Sequence, residues 1–526
     1  MEDATGKDSK VGEEKTTKPL FRTDVIAWML GVIFIVLLLI AVVFIGDARG
    51  WDADSGFTHN TSETSAERFL SEPYVEEPGV IGRCGVGAPS RWYYWKLKPV
   101  EVTALTRIIP WLCYTSHQLF VWSCIYYAQK KKTVYADPNV PRYSSKLNNF
   151  NLVALIGNMV FHLIHLGQTH WTYDSLAQDV SSPSNIGSAI IILIFILMLE
   201  YRNRGMAFGW PSQDDKGKIS NKMRLPWGPQ AMIRKYHGYV FAWGAVFTFW
   251  HHPMENTIGH VMGFTHTWMF LLQGSLMFTQ VHLNRYWRLL LEAWVIIHGT
   301  VVAWQTGNFL PTLYPMFMFG FLWLLVMTQL FGLPFWQQIP KWCRFVPFTV
   351  YLIIGICIYG FVLPDGDGRY WSRLNELVRI PAIEYVGILF AWLVMWFFLW
   401  VEKKIKGDKY DEPFQPPSTV VEILYICGVI FTYAIMMAVS VLVQVFDWQA
   451  GIITLLVFFT LFFSIGVAVT CMLLRQIIRP INDGKVVDDK SAVTMKVEPA
   501  FVNEAFSTDA CDDILPENTL PNDMKV

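Results

Sequence analysis

Residues 25–45 read VIAWMLGVIFIVLLLIAVVFI, twenty-one residues without a charge, and this run decides the fold. At 1.5 Å per residue, a helix of that length matches the hydrocarbon core of a bilayer, about 30 Å thick. The run is longer than the apolar core of a secretory leader, and no small-residue cleavage pattern follows it. Gly46-Asp47-Ala48-Arg49 simply turns polar, so the run is expected to remain as a membrane helix.

The rest of the chain repeats the pattern. Its 526 residues are 53% apolar and 15% aromatic with 16% charged, and the mean hydropathy is +0.32, which departs from a soluble composition toward that of a membrane protein. Windows of about 20 apolar residues place twelve spans, near 25–46, 103–127, 149–167, 186–201, 237–253, 257–282, 289–306, 315–334, 346–363, 383–401, 419–445 and 450–474. The expected fold is therefore an all-α polytopic membrane protein of about 12 transmembrane helices.

Orientation follows from the excess of Lys and Arg on the cytoplasmic side of membranes. An N-terminus placed inside collects Lys7 to Arg22, Lys130 to Lys132, the basic run Arg202 to Lys235, Arg285, Arg288, Lys403, Lys404 and Lys406 on one side. Both termini are then cytoplasmic. This gives a cytoplasmic tail (1–24), a first span (25–46), a non-cytoplasmic loop (47–102), a histidine-rich helical block (103–306), an apolar helical block (307–474) and a disordered cytoplasmic tail (475–526). The loop holds Asn60-Thr61-Ser62, the chain's one glycosylation sequon, in the compartment where glycans are added. The charge pattern suits the cell surface and endomembranes equally.

Several function classes fall away. Net charge is −1 and no basic block is interleaved with aromatics, so the footprint of a nucleic-acid binder is missing. The eight cysteines contain no Cys-x-x-Cys and fall mostly in or beside apolar runs, which argues against a disulfide framework or a zinc finger. Gly-rich phosphate loops, a Gly-x-Ser-x-Gly elbow and His-Glu-x-x-His are absent. Of the His-x-x-His-His boxes used by membrane desaturases, only the fragments His162-x-x-His165 and His251-His252 occur.

What remains is a histidine asymmetry. Eleven of the twelve histidines lie between His117 and His298, and none follows in the remaining chain. Ionisable residues inside a bilayer are costly, so their concentration marks a functional site. His162, His165, His170, His251, His252, His260 and His266 are expected in the outer half of the membrane, with His117 and His298 near mid-depth. His162 and His165 are i, i+3 and share a helix face. His266, Gln273 and Gln280 recur every seven residues, and His298 and Gln305 repeat that spacing, so a polar stripe is expected on one side of a continuous helix. Arg107 is expected to snorkel to the interface, Glu200 and Glu292 to be solvated at cytoplasmic helix ends, and tryptophans such as Trp92, Trp95 and Trp210 to act as interfacial anchors.

Imidazole suits Zn, Cu and Fe, and several histidines with a carboxylate suit non-haem iron or zinc. The expected metal shell is His162, His165, His251, His252, His260 and His266, with Glu255 as carboxylate ligand or base and His117 and His298 as deeper ligands. Haem b is a narrower version, with His237, His251 and His282 as axial candidates. His237 and His251 lie close to four turns apart on one helix face, whereas His266 and His282 would fall on opposite faces. Either cofactor implies redox chemistry on a small or lipidic substrate. Two other classes stay open: a proton-coupled or metal-ion transporter using the same imidazoles, and a receptor whose 47–102 loop binds a partner. Against the transporter stands the absence of two-fold symmetry between the halves. The bilayer is the one partner implied under every reading, with a small molecule or ion as substrate.

Overall fold

In a computed structural model of the chain, the described residues are 22–51, 70–71, 93–94, 102–133, 143–180, 182–211, 218–225, 227–306, 314–363 and 370–406. They are almost entirely helical. The helices are α1 (Thr23–Ala48), α2 (Ala104–Thr133), α3 (Asn149–Trp171), α4 (Ser182–Arg204), the short α5 (Lys218–Met223), α6 (Trp227–His251), α7 (Ile258–Ser275), α8 (Arg285–Thr306), α9 (Tyr314–Met327), α10 (Val346–Cys357) and α11 (Glu376–Lys406). A two-residue antiparallel pairing joins Leu70–Ser71 to Tyr93–Tyr94.

Among the described residues, seven segments are long and apolar enough to cross a membrane: α1, α3, α4, α8, α9 with the 3-10 turn after it, α10 with its flanking turns, and α11. Their outward faces are apolar. Leu30 and Phe44 of α1, Leu152 and Leu163 of α3 and Val386 and Phe397 of α11 are all exposed, a continuous apolar surface that water would penalise and lipid would not. The expected spans 419–445 and 450–474, the tail 475–526, and Asn60 with most of its loop lie outside the described residues.

Several helix boundaries depart from the expected ones, α6 beginning at Trp227 and α2 running on to Thr133 among them, and three have a local cause. α7 ends at Ser275 instead of continuing to 282. Leu276 caps it, Phe278 has φ +59°, and the chain then exchanges backbone hydrogen bonds with Ser144. Asn151 of α3 donates to the Ser275 and Met277 carbonyls, both at 2.8 Å, satisfying the orphan acceptors of that helix end. α9 gives way at Thr328 to 3-10 turns that reach Pro334 and beyond. α11 begins at Glu376, seven residues before the expected 383, because the polar start is satisfied internally: Arg373 pairs with Glu376, which also accepts from the Tyr359 hydroxyl at 3.0 Å.

Among the described residues, two large apolar cores organise the helices, with a smaller one of Phe319, Tyr351 and Tyr359 between α9 and α10 with the turn after it. One gathers Leu38 and Val42 of α1, Tyr114 and Ile125 of α2, Ala154 of α3, Phe249 and Trp250 of α6 and Trp268 of α7. The other joins Ile194 and Met198 of α4 to Phe321 and Leu324 of α9 and Ile388 and Met395 of α11. The described histidines are carried by α2, α3, α6, α7, α8 and the turns between them.

Candidate functional site

The buried histidines fall into linked groups around the C-terminal turn of α6. His117 of α2 stacks on Phe161 with ring centroids 4.2 Å apart. Its Nδ1 accepts from the Trp250 indole N–H at 3.1 Å, so its Nε2 carries the hydrogen and donates to Asn158 Oδ1 at 2.7 Å. Asn158 in turn donates from Nδ2 to Ser275 Oγ at 2.8 Å, and its carbonyl accepts from His162 Nδ1. Both nitrogens of His117 are thus in use, and it offers no lone pair to an ion in this arrangement.

One turn along α3, His165 lies against Phe249 and Trp250, 4.5 and 4.4 Å between centroids. Its Nε2 is 3.3 Å from the Ser175 hydroxyl, which also reaches the His252 carbonyl at 3.3 Å. That serine ties α3 to the end of α6. His251 donates from Nε2 to the Val180 carbonyl at 3.0 Å, and its ring lies 5.0 Å from that of His252. His252 lies 5.9 Å from His260 and accepts at Nε2 from Asn185 at 2.9 Å. His260 Nδ1 meets the hydroxyl of Thr257, the N-cap of α7, at 2.8 Å. Glu255 is fully buried between these groups in sequence, in the turn from α6 to α7.

Deeper along α7, His266 meets His298 of α8, Nδ1 to Nδ1 at 3.3 Å, and bonds through Nε2 to the Leu291 carbonyl at 2.8 Å. Gly263 makes room for this pair, since a Cβ there would stand 3.0 Å from His298 Nε2. His260 and His266 stand six residues apart on α7, with His298 beside the second, so the groups form one set along that helix. His237 and His282 lie outside it, toward the other end of α6: each donates Nδ1–H to a carbonyl, of Arg234 at 2.6 Å and of Gln273 at 2.9 Å. His170 is set apart, stacked on Trp51 at 5.1 Å.

The structure therefore brings His117, His162, His165, His251, His252, His260, His266 and His298 into one neighbourhood, but as a string of contacts. Among the described residues, no group of three or more His, Cys, Asp or Glu is placed to hold a metal ion. The expected stripe of glutamines is corrected. Gln280 lies beyond the end of α7, Gln273 is engaged by His282 and by the Trp287 indole N–H, and Gln305 Oε1 accepts from the Gly259 N–H at 2.6 Å, closing the first turn of α7. His282 sits in a 3-10 turn, not on the helix of His266.

Two carboxylates also differ from expectation, and one expected interfacial cation gains a partner. Glu200 and Glu292 are buried in ion pairs instead of solvated: Arg204 meets Glu292 at 2.7 Å, and Arg288 pairs with Glu200. Arg107 forms an ion pair with Asp179. Sequence reasoning missed Ser175 and the rings of Phe249 and Trp250, which hold the imidazoles apart, and it missed Glu384. The signal for the last was present, since Glu384 is the one charged residue from Ile380 to Val401, and an acid within an apolar span marks a site by default.

No protein-family model, curated protein or solved structure matches this chain.

Proposed function

We propose that the chain is a proton-coupled membrane carrier whose imidazole string holds and passes the coupling proton. The observation that carries this reading is the His266–His298 contact. The Leu291 carbonyl only accepts, so His266 Nε2 bears a hydrogen; in a neutral ring its Nδ1 is then an acceptor, and His298 supplies the hydrogen between them. The open lone pair of the neutral pair lies on His298 Nε2, beside Gly263. A proton arriving there is shared over two rings, which titrate as a pair. Imidazole both donates and accepts, and the rings of His260 and His252, 5.9 Å apart, with His165 reached through Ser175, continue the string toward α3.

The test is flux in liposomes holding a pH-sensitive dye, with a proton gradient imposed and small organic acids, amino acids and mono- and divalent cations offered as co-substrates. Native protein is expected to dissipate the gradient with at least one of them, and His298→Phe to reduce the rate at least tenfold. Equal rates for native protein, His298→Phe and protein-free vesicles reject the carrier.

A second reading has its own observation. His162, His237 and His282 each bond Nδ1 to a backbone carbonyl, the outer-shell contact that orients Nε2 of a metal-ligating imidazole. It supports a membrane oxidoreductase with haem b or with Fe, Cu or Zn held by such rings. Metal content and the optical spectrum of detergent-purified protein decide this reading. Less than stoichiometric metal and no haem band reject it.

A further inference from the structure

α11 carries one carboxyl group within its apolar length. Glu384 is 1% exposed. One turn earlier, Ile380 packs into the notch left by Gly320 of α9, where a Cβ would stand 2.8 Å from it. One turn later, Ile388 lies in the apolar core with Ile194 and Met198 of α4 and Phe321 and Leu324 of α9. Positions four apart share a helix face, so Glu384 faces the same contact, away from the lipid side marked by Val386 and Leu389. Its Oε2 is fully enclosed without a hydrogen-bond partner, and the ion pairs of this region go to Glu200, Glu292 and Glu376 instead. The adjacent Tyr385 hydroxyl is directed to the Met206 carbonyl.

Ionising a carboxyl in such a place costs several kcal/mol, because the residue is buried, Oε2 has no hydrogen-bond partner and, among the described residues, no ion pair offsets the charge. The neutral acid avoids that cost within a helix long and apolar enough to cross a membrane. We propose that Glu384 is an intramembrane proton-binding site, occupied in the resting protein and built by α11, α9 and α4 independently of the histidines. It places a proton-carrying group in the apolar half of the chain, which contains no histidine.

Infrared spectroscopy of the full-length protein at neutral pH reads this directly. A protonated carboxyl gives a carbonyl band separate from those of carboxylates and amides, and it moves when water is replaced by deuterium oxide. The native protein is expected to show such a band and Glu384→Gln to lack it, while His298→Phe retains it; that last result separates this site from the carrier proposal. Where Glu384→Gln fails to fold, protein labelled with 13C-glutamate replaces it. The band should move with the label in the native protein and stay unmoved in Glu384→Asp, which keeps an unlabelled acid. A native spectrum in which no band depends on Glu384 overturns the proposal.

Discussion

Asn158 shows how much one side chain can fix in a low-dielectric interior. Its Oδ1 sets the tautomer of His117, its Nδ2 holds Ser275, and its carbonyl orients His162, so three helices are joined through one residue. Replacing it by Leu preserves volume but strips His117 Nε2 of its acceptor and removes the donor to Ser275 Oγ, which keeps only its bond to the Leu271 carbonyl. Leaving buried polar groups unsatisfied costs about 1–3 kcal/mol, and polar contacts between membrane helices are worth about 0.6 kcal/mol on average. Asn158→Leu is expected to lower unfolding stability in mixed micelles by about 1–3 kcal/mol. Leu152→Ala, on the exposed face of the same helix, serves as the comparison. A loss for Asn158→Leu no larger than that of the comparison would show that the histidine does not depend on this contact.

At the scale of elements, α4 stops where its sequence says it should. Gly205 takes φ +73°, its N–H bonds back to the Tyr201 carbonyl at 2.6 Å, and a Cβ there would stand 2.3 Å from the backbone of Gly209 and Trp210. Left-handed backbone costs a non-glycine residue about 1–2 kcal/mol, and here no flexible side chain can move aside. Gly205→Ala should therefore destabilise by at least that amount, read as a lower thermal midpoint, whereas Gly167→Ala, with open space at its Cβ, should be neutral. The existence of α1, α3, α8 and α10 was legible because apolar length alone marks a span. The stop of α7 and the early start of α11 were not, because they depend on Asn151 reaching over from α3 and on Arg373 and Tyr359 meeting Glu376. The site divides likewise. His162 and His165 share a face by helical geometry, but that His266 meets His298, and that Phe249 and Trp250 stand between the other rings, depends on the register of separate helices, which no periodicity records.

At the scale of the whole molecule, the two large apolar cores must be held in register, and apolar packing alone specifies that weakly in lipid, where tails compete with side chains. Ion pairs supply direction. Glu200 and Arg204 stand one turn apart on α4, Arg288 and Glu292 one turn apart on α8, and the bonds run from Arg288 to Glu200 and from Arg204 to Glu292, with both Arg204 and Glu292 buried. Gly332, in the 3-10 turn after α9, lies against the Arg204 side chain, so the same pair also seats the start of the second block. Removing one member leaves a buried charge alone, which typically costs about 3–5 kcal/mol, whereas replacing both by apolar residues of similar volume is often neutral. Arg204→Met and Glu292→Leu are each expected to destabilise by about 3–5 kcal/mol, and the double variant to recover most of the loss. Unfolding of all four proteins in one detergent completes the cycle. Additive losses in the double variant would mean that the two charges act separately, and the register of α4 against α8 would then have to come from the neighbouring helices.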